Sequence, residues 1–316
     1  MTPKPLTSPS VGFVILSHQS GGQLKRLVRT INQLYDAPSI ACHHDFSQAE
    51  LNVSRFSPNV RFVQPSRRTA WGRMMTVEAA LDALQLLYAD GGPDWFVLLG
   101  LSDYPIMSAA AVLNDLAQSK CDALLDYRSV GGPDIEPAFS ANPAIRQFDN
   151  EGSLRRAARW YLATQLWLPV PKPKIGGGWR LGRQTWLLPL NYPFSPFDKT
   201  FLCYRGSHWF TGSRRAADVL LKPAKKHMAL RRHFARRAVP EESYYQSVLV
   251  NANLKIDRHN RRFEDWNGGG AHPQWLTSTE LEAMFASGCH FARKFRPDDP
   301  VLDQIDEALG ISAKVG

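Results

Sequence analysis

The 316-residue chain lacks any long hydrophobic run. Its most apolar stretch, residues 95–101, falls far short of the ~20 residues that cross a bilayer. The first ten residues carry Pro3, Pro5 and Pro9 and no apolar segment, so residues 1–10 read as a flexible tail. They do not read as a signal peptide or membrane anchor, and a cytoplasmic location is expected. Cysteine is scarce: Cys42, Cys121, Cys203 and Cys289 are far apart, with no C-x-x-C spacing. That excludes a disulfide framework or thiolate metal site and predicts buried free thiols. No two aspartates lie two apart, so an Asp-x-Asp metal grip is missing; Asp134-Ile135-Glu136 and Asp149-Asn150-Glu151 come nearest. There is no internal repeat. No RRM core or paired Cys/His spacing points to nucleic acid.

A hydrophobic content of 44% with 21% charged residues is ample for one large domain or two intimate ones. The net charge of +9 is concentrated in residues 155–183 and 222–237. The second segment, with Lys225, Lys226, Arg231, Arg232, Arg236 and Arg237, reads as a basic helix. It is either a solvated face or a peripheral contact with an anionic membrane or polysaccharide.

Residues 11–16 form a short β-branched run ending in Ser17-His18, and Gly21-Gly22 then leads into a helical pattern through Leu24, Leu27, Val28, Ile31 and Leu34. Strands are expected at 39–42 and 59–63. A helix follows Trp71-Gly72, with apolar Val77, Ala80, Leu81, Leu84 and Leu87, and closes at Asp90-Gly91-Gly92. The apolar run 95–99 reads as a strand buried on both faces. A helix at 109–118 and a strand at 122–126 come next. Alternation of this kind predicts an α/β fold, an open, mostly parallel sheet flanked by helices. In such sheets ligands sit at the carboxyl ends of the strands, which here carry Ser17-His18, His43-His44-Asp45 and Ser102-Asp103-Tyr104. Between 131 and 199 the pattern fades into Trp, Pro and Gly with one helix at 153–165, an irregular insertion that fits an acceptor cleft. A strand at 201–204, a helix at 213–221 and a helix at 241–251 that opens with acids complete the reading.

Three phrases close the chain: Arg261-Arg262-Phe263-Glu264-Asp265-Trp266, His272-Pro273-Gln274-Trp275-Leu276 and His290-Phe291-Ala292-Arg293-Lys294-Phe295. With Ile15-Leu16-Ser17-His18, His43-His44-Asp45, Trp71-Gly72, the phrase from Leu98 through Asp103 to Pro105, Gly206-Ser207-His208-Trp209 and Pro240-Glu241-Glu242, they form an ordered set. The set resembles the Core-2/I-branching N-acetylglucosaminyltransferase family, glycosyltransferase family 14, which includes peptide O-xylosyltransferases. The matches run from about residue 11 to 309, leaving 131–199 and the basic helix uncovered. The resemblance implies a GT-A-type catalytic domain over 11–316, with a nucleotide-binding half (11–130) and an acceptor and diphosphate half (131–316).

Glycosyl transfer needs a base for the acceptor hydroxyl, a reacting centre beside it, and positive charge for the departing diphosphate. The resemblance implies Glu242 as base and Arg262 with Lys294 as the cations that replace a metal, so no cofactor is expected. Asp stands more often in the family where this chain has Glu241. His18, Asp45 and Asp103 become nucleotide-binding candidates, and Ser207, Trp209 and Glu241 acceptor-side candidates; Trp71 is expected to pack. The implied partners are a UDP-sugar donor and a saccharide or glycoconjugate acceptor. The implied activity is inverting, metal-independent transfer, most naturally of N-acetylglucosamine, with xylose as the alternative. A catalytically inert glycan- or anion-binding protein on the same fold is the rival reading.

Overall fold

The computed structural model describes residues 8–19, 21–129, 171–173, 179–181, 196–198, 200–235, 239–267 and 272–312. The helix expected at 153–165, both near-miss acid pairs, most of the insertion and most of the N-terminal tail lie outside the described residues.

The chain begins β1 (Val11–Ser17), α1 (Gly21–Tyr35), β2 (Ile40–His44), β3 (Val60–Phe62), α2 (Met74–Tyr88), β4 (Trp95–Gly100), β5 (Asp103–Pro105), α3 (Ala109–Gln118), β6 (Ala123–Leu124) and β7 (Arg128–Ser129). After β8 (Pro171–Pro173) and β9 (Trp179–Leu181) it continues through β10 (Tyr204–Arg205), β11 (Thr211–Ser213), α4 (Arg214–Leu221), α5 (Lys225–Phe234) and α6 (Tyr244–Val250). It ends with β12 (Ile256–Asp257), β13 (Arg262–Glu264), α7 (Leu281–Ala286), β14 (Phe291–Arg293) and α8 (Val301–Ala308).

A seven-stranded sheet runs β12-β6-β11-β4-β1-β2-β3. β3, β2, β1 and β4 are mutually parallel, and only β11 runs against its neighbours. Strand alternation divides the core into two layers. Phe13, Ile15, Val97 and Leu99 pack with Leu24, Leu27 and Ile31 of α1, Val112 of α3 and Ile305 of α8. Val14, Phe96 and Leu98 pack on the other face with Val77 and Leu84 of α2, Leu220 of α4, Phe234 of α5 and Tyr245 of α6. Each such fully buried side chain contributes about 1.5–3 kcal/mol of transfer free energy. The α/β reading therefore holds, with helices on both faces.

Three expectations shift. The strand placed at 122–126 shrinks to Ala123–Leu124, and the one at 201–204 moves to Tyr204–Arg205. The helix placed at 241–251 is a 3-10 turn, Pro240–Glu242, followed by α6. Val239 at φ +48° and Ser243 at φ −140° break the helical run, so the two glutamates lie before the helix. Cys42, Cys203 and Cys289 are buried free thiols, while Cys121 is half-buried. Burial pushes the Cys42 and Cys203 thiols up, keeping them protonated. Among the described residues no helix is long and apolar enough to cross a membrane.

A second sheet, β13-β14-β5, stands at the carboxyl edge of the first. Its anchor is Tyr104, whose hydroxyl donates to Asp306 of α8 at 2.7 Å and meets Thr30 of α1 at 2.7 Å. Arg26 and Arg29 reach the same carboxylate at 2.8 and 3.0 Å. Asp306→Ala leaves Arg29 and the buried Tyr104 hydroxyl without the acceptor they share, and leaves Arg26 with Asp303 alone as its carboxylate partner. It should lower the unfolding free energy by about 3 kcal/mol, read by urea denaturation; a change below about 0.5 kcal/mol would contradict the anchoring role.

Candidate active site

The second sheet is held by a row of charge. β5 and β14 pair Asp103 opposite Arg293, and β13 and β14 pair Glu264 opposite Arg293. Arg293 Nε lies 2.8 Å from Asp103 Oδ1, and its Nη1 lies 3.8 Å from Glu264 Oε1. The guanidinium stacks 4.9 Å over the Trp209 ring. That ring lies against Gly100, where a Cβ would stand 2.7 Å from an indole carbon, so only glycine lets β4 end beneath it. Burial pushes the Asp103 carboxyl up, against the pull of Arg293 and the Gly100 N–H, which donates to Oδ2 at 2.6 Å. Burial likewise raises Glu264, opposed by Arg293.

Asp103 is therefore fully enclosed and presents no exposed surface. It is the buried counter-ion of Arg293. Asp45 is enclosed too. Its carboxylate accepts from Ser47 N and Oγ, Gln48 Nε2, and Thr69 N and Oγ1, at 2.6–3.0 Å. Burial pulls this group up, but the bonds from Ser47, Thr69 and Gln48 outweigh it and hold it well below the usual carboxylate range. Asp45 braces the loop after β2 and has no acceptor left for a ribose. His18, by contrast, is exposed beside these strand ends. Partial burial, countered by Asp45, lowers its pKa and favours the neutral ring.

Arg262 departs furthest from expectation. Only 5% of it is exposed. Its Nη1 donates to Asn260 O at 3.0 Å and its Nη2 to Phe210 O and Thr211 Oγ1 at 3.3 Å, with the guanidinium 4.8 Å over Phe291. Burial lowers its pKa to about 10, against Asp103 and Glu264, which favour the cation. It is a brace between β11 and β13, and it does not reach an open surface. Lys294 does: partly exposed, it sets its ammonium 4.3 Å over the Trp275 ring and makes no ion pair among the described residues. Partial burial and Arg293 lower its pKa.

The two glutamates of the 3-10 turn face opposite ways. Glu242 keeps 44% of its side chain in water and lies 3.7 Å from Arg205. Burial of its remainder raises its pKa; Arg205 and Arg293 oppose this, while Glu264 and Asp126 add to it. Its own carbonyl accepts from Gly206 N at 2.8 Å, which brings Ser207 alongside. The Ser207 hydroxyl accepts from Trp209 N at 3.3 Å, and Gln246 Nε2 donates to Ser207 O at 2.6 Å. Glu241 is only 5% exposed and takes Gly72 N–H on Oε1 at 2.9 Å, so it does not line an acceptor surface. Trp209 is half-buried as the floor under Arg293. Trp71, expected to pack, is 70% exposed and touches His272 edge-on at 5.5 Å.

Sequence reading missed Arg293 and Glu264, the centre of the site. Arg293 sat inside a quoted phrase, but its partners appear only through strand register. Among the described residues no three His, Cys, Asp or Glu converge as metal ligands. A cavity of about 670 Å³ opens at the opposite, amino-terminal edge of the sheet, among Ser10, Tyr35, Asn59 and Arg61, away from every candidate.

The family model described as Core-2/I-Branching enzyme matches residues 11–151 and 176–287. The chain belongs to the Core-2/I-Branching enzyme family. The matched span includes residues 131–151 and 176–199, part of the insertion that the motif reading left uncovered, and it stops before Lys294. Two curated relatives from Arabidopsis thaliana are similar to this Core-2/I-Branching chain. Beta-glucuronosyltransferase GlcAT14A is 27% identical over 94% of this chain and 64% of the relative. Beta-glucuronosyltransferase GlcAT14B is 25% identical over 79% of this chain and 52% of the relative. The chain thus spans about half to two thirds of the length of these relatives. The mostly parallel sheet with flanking helices is consistent with the GT-A-like fold of the family.

Two outcomes follow. As a brace, Arg262 holds the backbone carbonyls of Phe210, Asn260 and Arg261, so Arg262→Met should lower the unfolding free energy by about 2–4 kcal/mol. Unchanged urea stability with lost UDP affinity would return Arg262 to the ligand role. Burial raises Glu241 to about 7, with the Gly72 N–H opposing and Glu242 adding. A raised acid pKa means that the unfolded chain releases its proton first, so this group costs stability progressively as pH climbs from about 4.5 to 7. The full cost is about 3 kcal/mol. Glu241→Gln should remove that slope between pH 5 and pH 8, and parallel wild-type and variant profiles would exclude it.

Proposed function

We propose that this chain is an inverting glycosyltransferase that moves a sugar from a UDP-sugar to a hydroxyl of a saccharide or glycoconjugate. The observation that carries the reading is a half-exposed glutamate of raised pKa, Glu242, and an ammonium with no counter-ion among the described residues, Lys294, both in the field of Arg293. Glu242 takes the proton of the acceptor hydroxyl as its oxygen attacks the anomeric carbon. The bond to the UDP oxygen breaks on the opposite face, and Lys294 stabilises the charge that collects on the diphosphate. This assigns to a protein cation the charge that a metal supplies elsewhere, and makes transfer metal-independent.

The relatives' names favour glucuronic acid as the first donor sugar to test, ahead of the N-acetylglucosamine and xylose suggested by the motif resemblance. Burial of Arg262 leaves Lys294 as the more exposed of the two expected cations and favours a second reading, a non-catalytic glycan- or anion-binding protein on the same fold. A panel of UDP-glucuronate, UDP-N-acetylglucosamine and UDP-xylose, with and without EDTA, separates these readings. Glu242→Gln should cut kcat by about 10²–10⁴-fold and leave UDP binding intact. The acid limb of wild-type kcat/KM should lie above the ordinary glutamate value of 4.5, because only the ionised base works. Full turnover by Glu242→Gln would remove the base assignment, and strict manganese dependence would remove the cation assignment.

A further inference from the structure

The segment 67–72, between β3 and α2, forms no strand or helix, yet three of its backbone N–H groups are held by buried side chains. Arg67 N–H donates to His43 Nε2 at 2.9 Å, Thr69 N–H to Asp45 Oδ2 at 2.6 Å, and Gly72 N–H to Glu241 Oε1 at 2.9 Å. The first two acceptors belong to the end of β2. The third comes from the 3-10 turn that also carries Glu242. Gly72 is tied to that turn twice, because its carbonyl accepts from Val239 N at 3.2 Å. The double tie demands unusual backbone on both sides. Gly72 sits at φ +71°, comfortable only without a Cβ, and the β-branched Val239 sits at φ +48°, an outlier for its type.

Glu241 is an expensive residue for a simple filler. It is buried, and its Oε2 has no partner among the described residues, an arrangement that an apolar side chain would avoid. What the tie presents is Trp71, 70% exposed and edge-on against His272. The His272 ring in turn lies in the field of Lys294 and Arg293, which lower its pKa after burial.

We propose that Glu241 is a positioning residue that locks the Trp71 loop to the turn bearing Glu242, so that the wall beside Lys294 and the candidate base are held as one unit. Its catalytic consequence rests on the glycosyltransferase reading above; the lock itself does not. Glu241→Met preserves volume and removes the acceptor, while Glu241→Gln retains an acceptor oxygen.

Limited trypsin digestion at Arg67, Arg68 and Arg73, well below the unfolding temperature, should proceed about tenfold faster in Glu241→Met, and Glu241→Gln should restore protection. UDP serves as the ligand probe, and its Kd should rise about tenfold in Glu241→Met, read on the folded protein. Hydrogen exchange on the wild type supplies an arm independent of any variant: the Gly72 amide should be protected while the amide of exposed Trp71 exchanges fast. A lowered Tm with unchanged loop cleavage and UDP affinity would overturn the proposal, as would an unprotected Gly72 amide. If the wild type neither binds UDP nor transfers sugar, the glycosyltransferase reading fails, while digestion and exchange still decide the lock.

Discussion

Arg293 sits between two carboxylates that could not remain buried without it. Asp103, fully enclosed, and Glu264, largely so, flank it across three short strands, and the Trp209 ring lies beneath it. A buried ion row of this kind is poor evidence of net stability, since desolvation consumes much of the Coulomb gain. Its effect is geometric. Only one register of β5, β14 and β13 puts the guanidinium beside both acids, and that register sets partly exposed Lys294 over Trp275. Gly100 completes the arrangement by letting Trp209 lie flat at the end of β4.

Other parts of the site hang on this row. Tyr104, the neighbour of Asp103, is fixed by Asp306, Thr30 and Arg26, so the C-terminal helix and α1 both hold the small sheet in place. Arg262 stabilises the same sheet from within, using its guanidinium on the Phe210 carbonyl just before β11, the Thr211 hydroxyl of β11 and the Asn260 carbonyl of the turn before β13. Several groups that carry the right charge for ligand binding are thus committed to holding the scaffold. Of the charged or titratable candidates, His18, Glu242 and Lys294 keep part or most of their side chains exposed, with exposed Trp71 and His272 in contact with each other.

Much of the architecture was legible in the chain. Helix α3 falls where its periodicity places it, and β1, β4, α1, α2 and α4 agree to within a few residues, because each buries a continuous apolar face. Family motifs pointed to the correct neighbourhoods as well. Roles within a neighbourhood were harder to read. Arg262 and Arg293 stand in equally aromatic phrases, and nothing local tells which one will be sealed off by carbonyls. Asp45 and Asp103 end strands where ligands usually sit, yet both are consumed by donors, Thr69 and Arg293, far away in sequence. Glu241 and Glu242 are chemically alike, and only the positive φ of Val239 and the 3-10 turn set them facing apart.

By itself, the sequence determined the α/β alternation, the two-sided core, the buried thiols and the set of motifs that marks the family. These depend on local periodicity and on residue types at fixed spacing, which a linear chain carries openly. The tertiary structure decided which charges meet each other and which meet water. That choice depends on strand register and on the desolvation of groups 160 or more residues apart, as for Asp103 with Glu264 and Arg293 or Gly72 with Glu241. It is why Arg262 became a brace, Arg293 the keystone, and Lys294 a cation that keeps contact with water.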